Sequence, residues 1–108
     1  MSKLYVVPTP IGNLGDMTQR AVETLNDCDL ILAEDTRHTQ KLLNYFNIKT
    51  KMISYHKFNE KQRSEEIIQR LLNENINVAL VTDAGTPCIS DPGYELVREV
   101  REKGIEVI

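Results

Sequence analysis

Short β-branched runs that alternate with amphipathic helical patterns constrain the fold of this chain more than any other feature. Five such runs begin 22 to 28 residues apart, at 4–7, 29–33, 51–55, 77–82 and 105–108. This spacing is typical of βα units. The run at 78–81 is continuously apolar, which indicates a strand buried on both faces of a parallel sheet. The sequence therefore predicts an α/β fold, with an open, mostly parallel five-stranded sheet flanked by four helices.

Polar residues at capping positions mark where the four helices begin. The candidates are Asp16 or Thr18 for the first helix, Asp35 or Thr36 for the second, Asn59 with Gln62 as a capping box for the third, and Asp91 for the fourth. Pro92 then occupies the first position of the fourth helix, and Gly104 follows its end.

The composition excludes several classes of protein. A chain of 108 residues corresponds to one domain. No apolar run approaches the roughly 20 residues that cross a bilayer, and the four apolar residues before Pro8 are too few for a signal-peptide core. Cys28 and Cys88 are too few for a disulfide framework or a four-cysteine zinc site, and His38 and His56 have no partners at metal-ligand spacing. We therefore expect a cytoplasmic protein with reduced thiols, no metal site and no membrane contact.

Two loops contain all four prolines and four of the five glycines, at 8–16 and 83–93. Each loop follows a predicted strand and precedes a helix, the edge at which open α/β sheets bind ligands. The loops contain three aspartates and no Lys or Arg. Because phosphate sites usually recruit a cation, this favours a neutral or cationic small molecule. The alternative is that both loops are only well-made turns whose aspartates cap helices.

Charged residues follow two other predicted strands. Glu34 and Asp35 come at the end of the second run, where they act either as acid–base groups or as a helix start favoured by the macrodipole. The segment 49–63 holds five basic residues and one acid, with Tyr55, His56 and Phe58 interleaved. Basic and aromatic side chains together suit single-stranded RNA, and a solvated loop is the alternative.

The last run, at 105–108, places an apolar strand at the end of the sequence. This favours the first domain of a longer protein. The alternative is a complete small domain whose last strand is a sheet edge or a dimer contact.

Four motifs occur in order along the chain: YVVPTPIGNLGD at 5–16, AEDTR at 33–37, DAGTP at 83–87 and ISDPG at 89–93. Together they closely resemble the tetrapyrrole (corrin/porphyrin) methylase superfamily, and within it the bacterial enzymes that methylate a cytidine ribose in small-subunit (16S) ribosomal RNA. Cys88 stands where that pattern has glycine.

The resemblance implies a methyltransferase with S-adenosyl-L-methionine as its cofactor. Residues 1–108 would form the N-terminal α/β domain, with a C-terminal domain outside this chain and the cofactor bound in the cleft between them. The positions that match the family's cofactor loops are Pro10, Gly12, Asn13, Leu14, Asp83, Ala84, Gly85, Thr86, Pro87, Ile89 and Ser90. A sulfonium cofactor without phosphate agrees with the charge of both loops.

The resemblance also implies a ribose 2′-hydroxyl as the acceptor. This hydroxyl is a weak nucleophile, so a nearby proton acceptor should help, and Glu34 or Asp35 is expected to serve, with Asp83 as a further candidate. The expected RNA contacts are Arg37, Lys57, Lys61 and Arg63. The expected partners are ribosomal RNA in the small subunit and a second copy in a homodimer. The alternatives are a related methylase that acts on a tetrapyrrole or a protein side chain, and an isolated domain that is inactive.

Overall fold

The computed structural model describes residues 1–10, 14–83 and 92–108, in which strands and helices alternate. The elements are β1 Lys3–Thr9, α1 Gln19–Asp27, β2 Leu30–Ala33, α2 Thr36–Tyr45, β3 Met52–Ser54, α3 Glu60–Asn73, β4 Asn77–Asp83, α4 Pro92–Glu102 and β5 Glu106–Val107, with a short 3-10 turn at Leu14–Asp16. All five predicted strands and four predicted helices are confirmed, and the strand ends differ by at most two residues. Within the described ranges, no helix is long and apolar enough to cross a membrane.

The strands form one parallel sheet in the order β3-β2-β4-β1-β5. β4 lies at the centre, and its residues 78–81 are buried, as the continuous apolar run predicts. Val6 N donates to Ile108 O, which extends the pairing of β1 with β5. In a strand, residues two apart face the same way, so the proline nitrogen of Pro8 also faces the β5 side. Pro8 therefore leaves the β1–β4 ladder intact.

Helices cover both faces of the sheet, and each face has its own apolar core. One core joins the sheet to α3 and α4 through residues that include Ile67, Leu71, Leu96 and Val100. The other joins it to α1 and α2 through residues that include Leu25, Leu42 and Leu43. This is the arrangement that right-handed crossovers produce for this strand order. The chain therefore leaves the neighbouring strands β1 and β4 toward opposite faces.

Local hydrogen bonds explain where α1 and α2 begin and where α4 ends. Thr18 Oγ1 accepts from Ala21 N at 3.1 Å, which caps α1. Asp35 Oδ1 accepts from the backbone N–H groups at the start of α2. After α4, Gly104 adopts a positive φ of 78°. Gly104 N donates to Arg101 O and the next amide to the carbonyl of residue 100, the pairing of a Schellman motif. These observations confirm Thr18, Asp35 and Gly104 in their predicted places.

The predicted capping box at the start of α3 is wrong. Asn59 occupies the N-cap position but its side chain makes no capping hydrogen bond. Its Oδ1 accepts instead from His56 N at 2.8 Å, and its Nδ2 donates to Ser54 Oγ at 3.0 Å. Gln62 Nε2 donates forward to Glu66 Oε1 at 3.4 Å. The Asn59 side chain therefore fixes the preceding turn, because that turn offers it donors and acceptors that the spacing rule does not consider.

Candidate functional site at the carboxyl edge of the sheet

The carboxyl ends of β1 and β4 lie side by side. Thr9, the last residue of β1, is in register with Asp83, the last residue of β4. The buried Thr9 side chain ties the two ends together, because its Oγ1 donates to Thr82 O at 3.1 Å. The two proline- and glycine-rich loops therefore start from neighbouring strands. These strands lie at the switch point of strand order, where the connection after β1 runs toward one side of the sheet and that after β4 toward the other. The two strand ends therefore share the edge of the sheet at which the sequence predicts a ligand site, and the ligand site itself stays a prediction.

Most of the predicted cofactor positions lie outside the described residues. These are Gly12, Asn13, Ala84, Gly85, Thr86, Pro87, Ile89 and Ser90, and the expected cap Asp91 and Cys88 lie there too. The structure places Pro10 directly after β1 and Asp83 at the end of β4. Leu14 begins the 3-10 turn and packs, half-buried, against the apolar core on the α1 and α2 face.

A cavity of about 200 Å³ opens beside the end of β1. It is lined by Pro8, Thr9, Pro10, Asp16, Met17 and Thr18. In the described part of the chain, the lining combines apolar surface with one carboxylate, at Asp16, and contains no Lys or Arg. This chemistry suits a cationic or neutral guest, as the loop composition predicts. Thr9, Met17 and Thr18 also line the cavity, although they were not predicted as site residues. For Thr9, the prolines on either side were a usable signal.

Two carboxylates follow β2, the strand next to β4. Asp35 Oδ1 accepts from Arg37 N at 3.1 Å and from His38 N at 3.2 Å. The structure therefore gives Asp35 the capping role. Glu34 is exposed beside it and takes no part in the cap. Neighbouring strands lie about 4.8 Å apart, so the end of β2 is roughly 10 Å from the end of β1.

The predicted RNA-binding side chains follow β2 and its neighbour β3. They differ in their exposure and in their contacts with the rest of the protein. Arg37 is exposed on the first turn of α2, and Lys57 and Lys61 are exposed after β3. Arg63 is half-buried: its Nε donates to Ser54 O at 3.2 Å and its Nη1 pairs with a Glu66 oxygen at 3.3 Å. Arg63 therefore stabilises the connection between β3 and α3, whereas the other three present their charges to solvent.

The interpretation of 49–63 as one basic and aromatic strip is wrong. Lys49 and Lys51 precede β3 and lie at its amino end, whereas Lys57 and Lys61 lie beyond its carboxyl end. Tyr55 is only 1% exposed, and its hydroxyl is 2.6 Å from Ser64 Oγ. Burial raises the pKa of Tyr55 to about 12. The sheet therefore divides the cations between its two edges and places one of the aromatic rings in the core.

The cysteine and histidine side chains of the described residues do not assemble into a metal centre. No group of three His, Cys, Asp or Glu side chains in that part of the chain could hold a metal ion. Cys28 is a buried free thiol. Burial, with Asp29 and Asp27 nearby, raises the pKa of Cys28 to about 11. Such a thiol is protonated near neutral pH and is a poor nucleophile or ligand.

The fold defines a class: a parallel α/β domain in which two proline- and glycine-rich loops leave neighbouring strands at a switch point of strand order. A family model for Tetrapyrrole (Corrin/Porphyrin) Methylases matches residues 3–108. The chain belongs to this family.

Curated relatives match the chain with high identity. A protein of Synechocystis sp. is 61% identical over 100% of the chain and 38% of its own length. A protein of Escherichia coli O157:H7 is 57% identical over 98% of the chain and 37% of its own length. A protein of Thermotoga maritima is 56% identical over 99% of the chain and 48% of its own length. Each is named "Ribosomal RNA small subunit methyltransferase I". The chain spans between about a third and a half of these relatives.

Solved structures share the fold at low identity. Uroporphyrin-III-C-methyltransferase from Thermus thermophilus superposes with a TM-score of 0.73 at 20% identity, over 97% of this chain and 45% of that one. A cobalt precorrin-4 methyltransferase gives 0.72 at 16% identity, over 98% and 44%. These similarities confirm the predicted α/β fold.

Proposed function

We propose that the full-length protein is a methyltransferase that uses S-adenosyl-L-methionine to methylate the ribose 2′-hydroxyl of a cytidine in 16S ribosomal RNA. Relatives at 56–61% identity, all named as small-subunit ribosomal RNA methyltransferases, support this proposal. Because the chain spans less than half of those relatives, the activity is proposed for the full-length protein, acting in the cytoplasm.

The cavity beside the end of β1 fits one part of the cofactor. S-adenosyl-L-methionine supplies an electrophilic methyl group on a cationic sulfonium. The Asp16 carboxylate and the cation-free, partly apolar cavity lining are compatible with such a charge. Pockets for ligands of this size measure about 300–1,000 Å³, so the cavity of about 200 Å³ holds only a portion. We propose that Pro10, Leu14 and Asp83 contribute, together with the matched positions of the two loops.

The order of functional groups along the carboxyl edge is the observation that carries the proposal. Along this edge, cations follow β3 and carboxylates follow β2. The adjacent ends of β4 and β1, from which the two loops start, come next. An RNA strand held at the β3 end would therefore place a ribose near Glu34. Glu34 follows β2, which is next to β4, where we propose that the cofactor binds. No other edge of the described sheet combines acids and cations with the strand ends from which both loops start.

Glu34 is the proposed proton acceptor for the ribose hydroxyl. Its carboxylate is exposed and has no capping role, so it is accessible to a substrate at this edge. General base catalysis of this kind contributes about 10²–10⁴-fold. Positioning of the two reactants supplies the larger share, up to about 7–11 kcal/mol in well-oriented systems. Arg37, on the first turn of α2, would hold a phosphate and so fix the register of the RNA.

The test is methylation of unmethylated small ribosomal subunits by the full-length protein with isotopically labelled cofactor, followed by mapping of the modified ribose. Label at a single cytidine 2′-oxygen is the expected result. Glu34→Gln should lower kcat by about 10²–10⁴-fold with an unchanged cofactor Kd, whereas Asp35→Asn should lose less than tenfold. Label in a protein side chain or a tetrapyrrole, with none in the RNA, would overturn the proposal.

We also propose the small ribosomal subunit as the context of the RNA and a homodimer as the working assembly. Among the described residues, β5 pairs with β1 on one side and has no strand on the other, which supports a self-association surface. Light scattering of the full-length protein should give twice the monomer mass. A monomer at micromolar concentration would contradict the dimer and leave the proposed chemistry standing.

A further inference from the structure

A tight turn after β3 holds an aromatic ring in solvent. The turn spans residues 56–59 and is closed by Asn59 N, which donates to His56 O at 3.0 Å. Its two central residues are Lys57 and Phe58. Phe58 is 92% exposed, so its ring contributes almost nothing to the apolar core.

Hydrogen bonds on both sides of Phe58 fix the turn. His56 N donates to Asn59 Oδ1 at 2.8 Å, and Phe58 N donates to His56 Nδ1 at 3.1 Å. The same Asn59 side chain is anchored to β3 through Ser54 Oγ at 3.0 Å. A ring that projects from a backbone held in this way loses little conformational freedom when it binds a partner, which favours a recognition role.

The charges around the turn indicate what the ring contacts. Lys57 is adjacent, Lys61 lies on the first turn of α3, and Arg37 lies on the first turn of α2, which follows the neighbouring strand. Glu60 is the one acid within residues 49–63, and it is half-buried. A planar apolar surface among exposed cations complements a polyanion with stacking bases. It is a poor match for an apolar protein surface, since the lysines would have to be desolvated.

We infer that Phe58 is a stacking platform for one unpaired base of the RNA substrate, with Lys57 on an adjoining phosphate. This inference rests on the proposed function. In this arrangement, the turn after β3 would hold a nucleotide next to the methylated one. Stacking is tolerant of sequence because every base has a π-face, so Phe58 would contribute affinity and register.

The test uses the full-length protein and a single-stranded RNA oligonucleotide of the small-subunit sequence that carries one 2-aminopurine. Phe58→Ala should weaken RNA binding by roughly 5- to 150-fold and abolish the stacking quench of 2-aminopurine fluorescence. Phe58→Trp should restore both. The dependence of log Kd on log salt should keep its slope in Phe58→Ala, whereas Lys57→Ala should reduce that slope by about 0.7.

Tyr45→Ala is the matched control. Tyr45 is also an exposed aromatic residue, 62% accessible, but it ends α2 at the opposite edge of the sheet, so RNA binding should not change. Unchanged quench and affinity in Phe58→Ala, with wild-type methylation intact, would overturn the inference alone. Loss of dimer in Phe58→Ala with unchanged RNA binding would overturn it in favour of a protein contact. A wild-type protein that neither binds nor methylates the RNA would refute the proposed function, and the inference with it.

Discussion

Asp35 shows how a single side chain limits the assignment of chemical roles. The sequence alone places two acids, Glu34 and Asp35, near the start of a helix and predicts either as the proton acceptor, with Asp35 also a candidate cap. In the structure the Asp35 carboxylate bonds two backbone amides of α2, while Glu34 makes no such bond. A carboxylate that must hold a helix start is less free to accept a proton from a substrate. The cap therefore makes Glu34 the better candidate for the base.

Asp35→Ala should lower the free energy of unfolding by about 1 kcal/mol, because two amides at the start of α2 lose their acceptor. Asp35→Asn keeps an acceptor oxygen and should cost only a few tenths of a kcal/mol, the part due to the charge at the helix terminus. Urea denaturation of both variants is the measurement. Equal losses would show that charge, and not the hydrogen bonds, stabilises this helix start.

Burial of Cys28 makes the stability of the protein depend on pH in the alkaline range. Its thiol pKa is about 11 in the folded protein against an ordinary value of 9.0. Below pH 9 the thiol is protonated in both states and its contribution is fully present. As the pH rises from 9 to 11 the unfolded state ionises first, so the free energy of unfolding should fall by up to about 3 kcal/mol. Denaturation curves at pH 8 and pH 10.5 measure this loss.

The comparison variant is Cys28→Ala. It should be less stable at pH 8, because a buried side chain is truncated, but its stability should fall less steeply between pH 8 and pH 10.5. Tyr55, whose pKa is also raised by burial, remains in both proteins and adds a loss of the same sign at higher pH. Parallel pH curves for the two proteins would show that Cys28 ionises in the folded state as readily as in the unfolded one.

At the scale of elements, the sequence predicted the strands and helices well because their hydrophobic periods are strong and their connections short. The shared edge from which the two loops start was also predictable, since proline and glycine concentrate in the segments that follow β1 and β4. Two features were not predictable: the Asn59 side chain found partners in the preceding turn, and Tyr55 turned into the core. Both depend on what lies nearby in space, which sequence spacing does not encode.

Two helices end in the same way with different residues. α4 ends with Gly104 at a φ of 78°, and α2 is followed by Asn47 at a φ of 56°. In both places the next amide donates to a carbonyl five residues earlier, from Ile48 to Leu43 and from Ile105 to Val100. Only the glycine was identified from the sequence. Asn tolerates the left-handed conformation through its short polar side chain, and its position gave no equally strong signal.

Gly104→Ala should therefore cost about 1–2 kcal/mol in the free energy of unfolding. A Cβ at this position meets no atom within 4 Å, so the cost arises from backbone conformation alone. Gly104→Asn should cost clearly less, as Asn47 does the same task at the end of α2. Thermal denaturation distinguishes the variants. An alanine variant as stable as the asparagine variant would mean that the chain after α4 relaxes out of the left-handed region.

On the scale of the whole molecule, the sheet separates groups that are neighbours in sequence. Lys49 and Lys51 lie at one edge and Lys57 and Lys61 at the other, although only a short strand stands between the pairs. A strand advances about 3.3 Å per residue, so this separation is on the order of 20 Å. Net charge is the same whichever pair is removed, but only one pair shares an edge with Glu34 and the two loops.

The double variant Lys57→Ala/Lys61→Ala should weaken binding of small-subunit RNA and reduce the salt slope by about 1.4, from the loss of two phosphate contacts. Lys49→Ala/Lys51→Ala removes equal charge at the opposite edge and should leave the slope unchanged. Cofactor affinity should not change in either protein. Fluorescence anisotropy at several salt concentrations measures the slopes. Equal effects of the two pairs would indicate attraction by net charge and no defined RNA path.

The departure of the chain from β1 and β4 toward opposite faces has a consequence for access. Since α1 packs under one side of the sheet and α4 under the other, no helix of the described chain roofs the gap between these two strand ends. Because the strand order sets this arrangement, neither α1 nor α4 has to leave its core to open that gap. The sheet and its two helical cores would then keep their packing while the proposed cofactor binds and leaves.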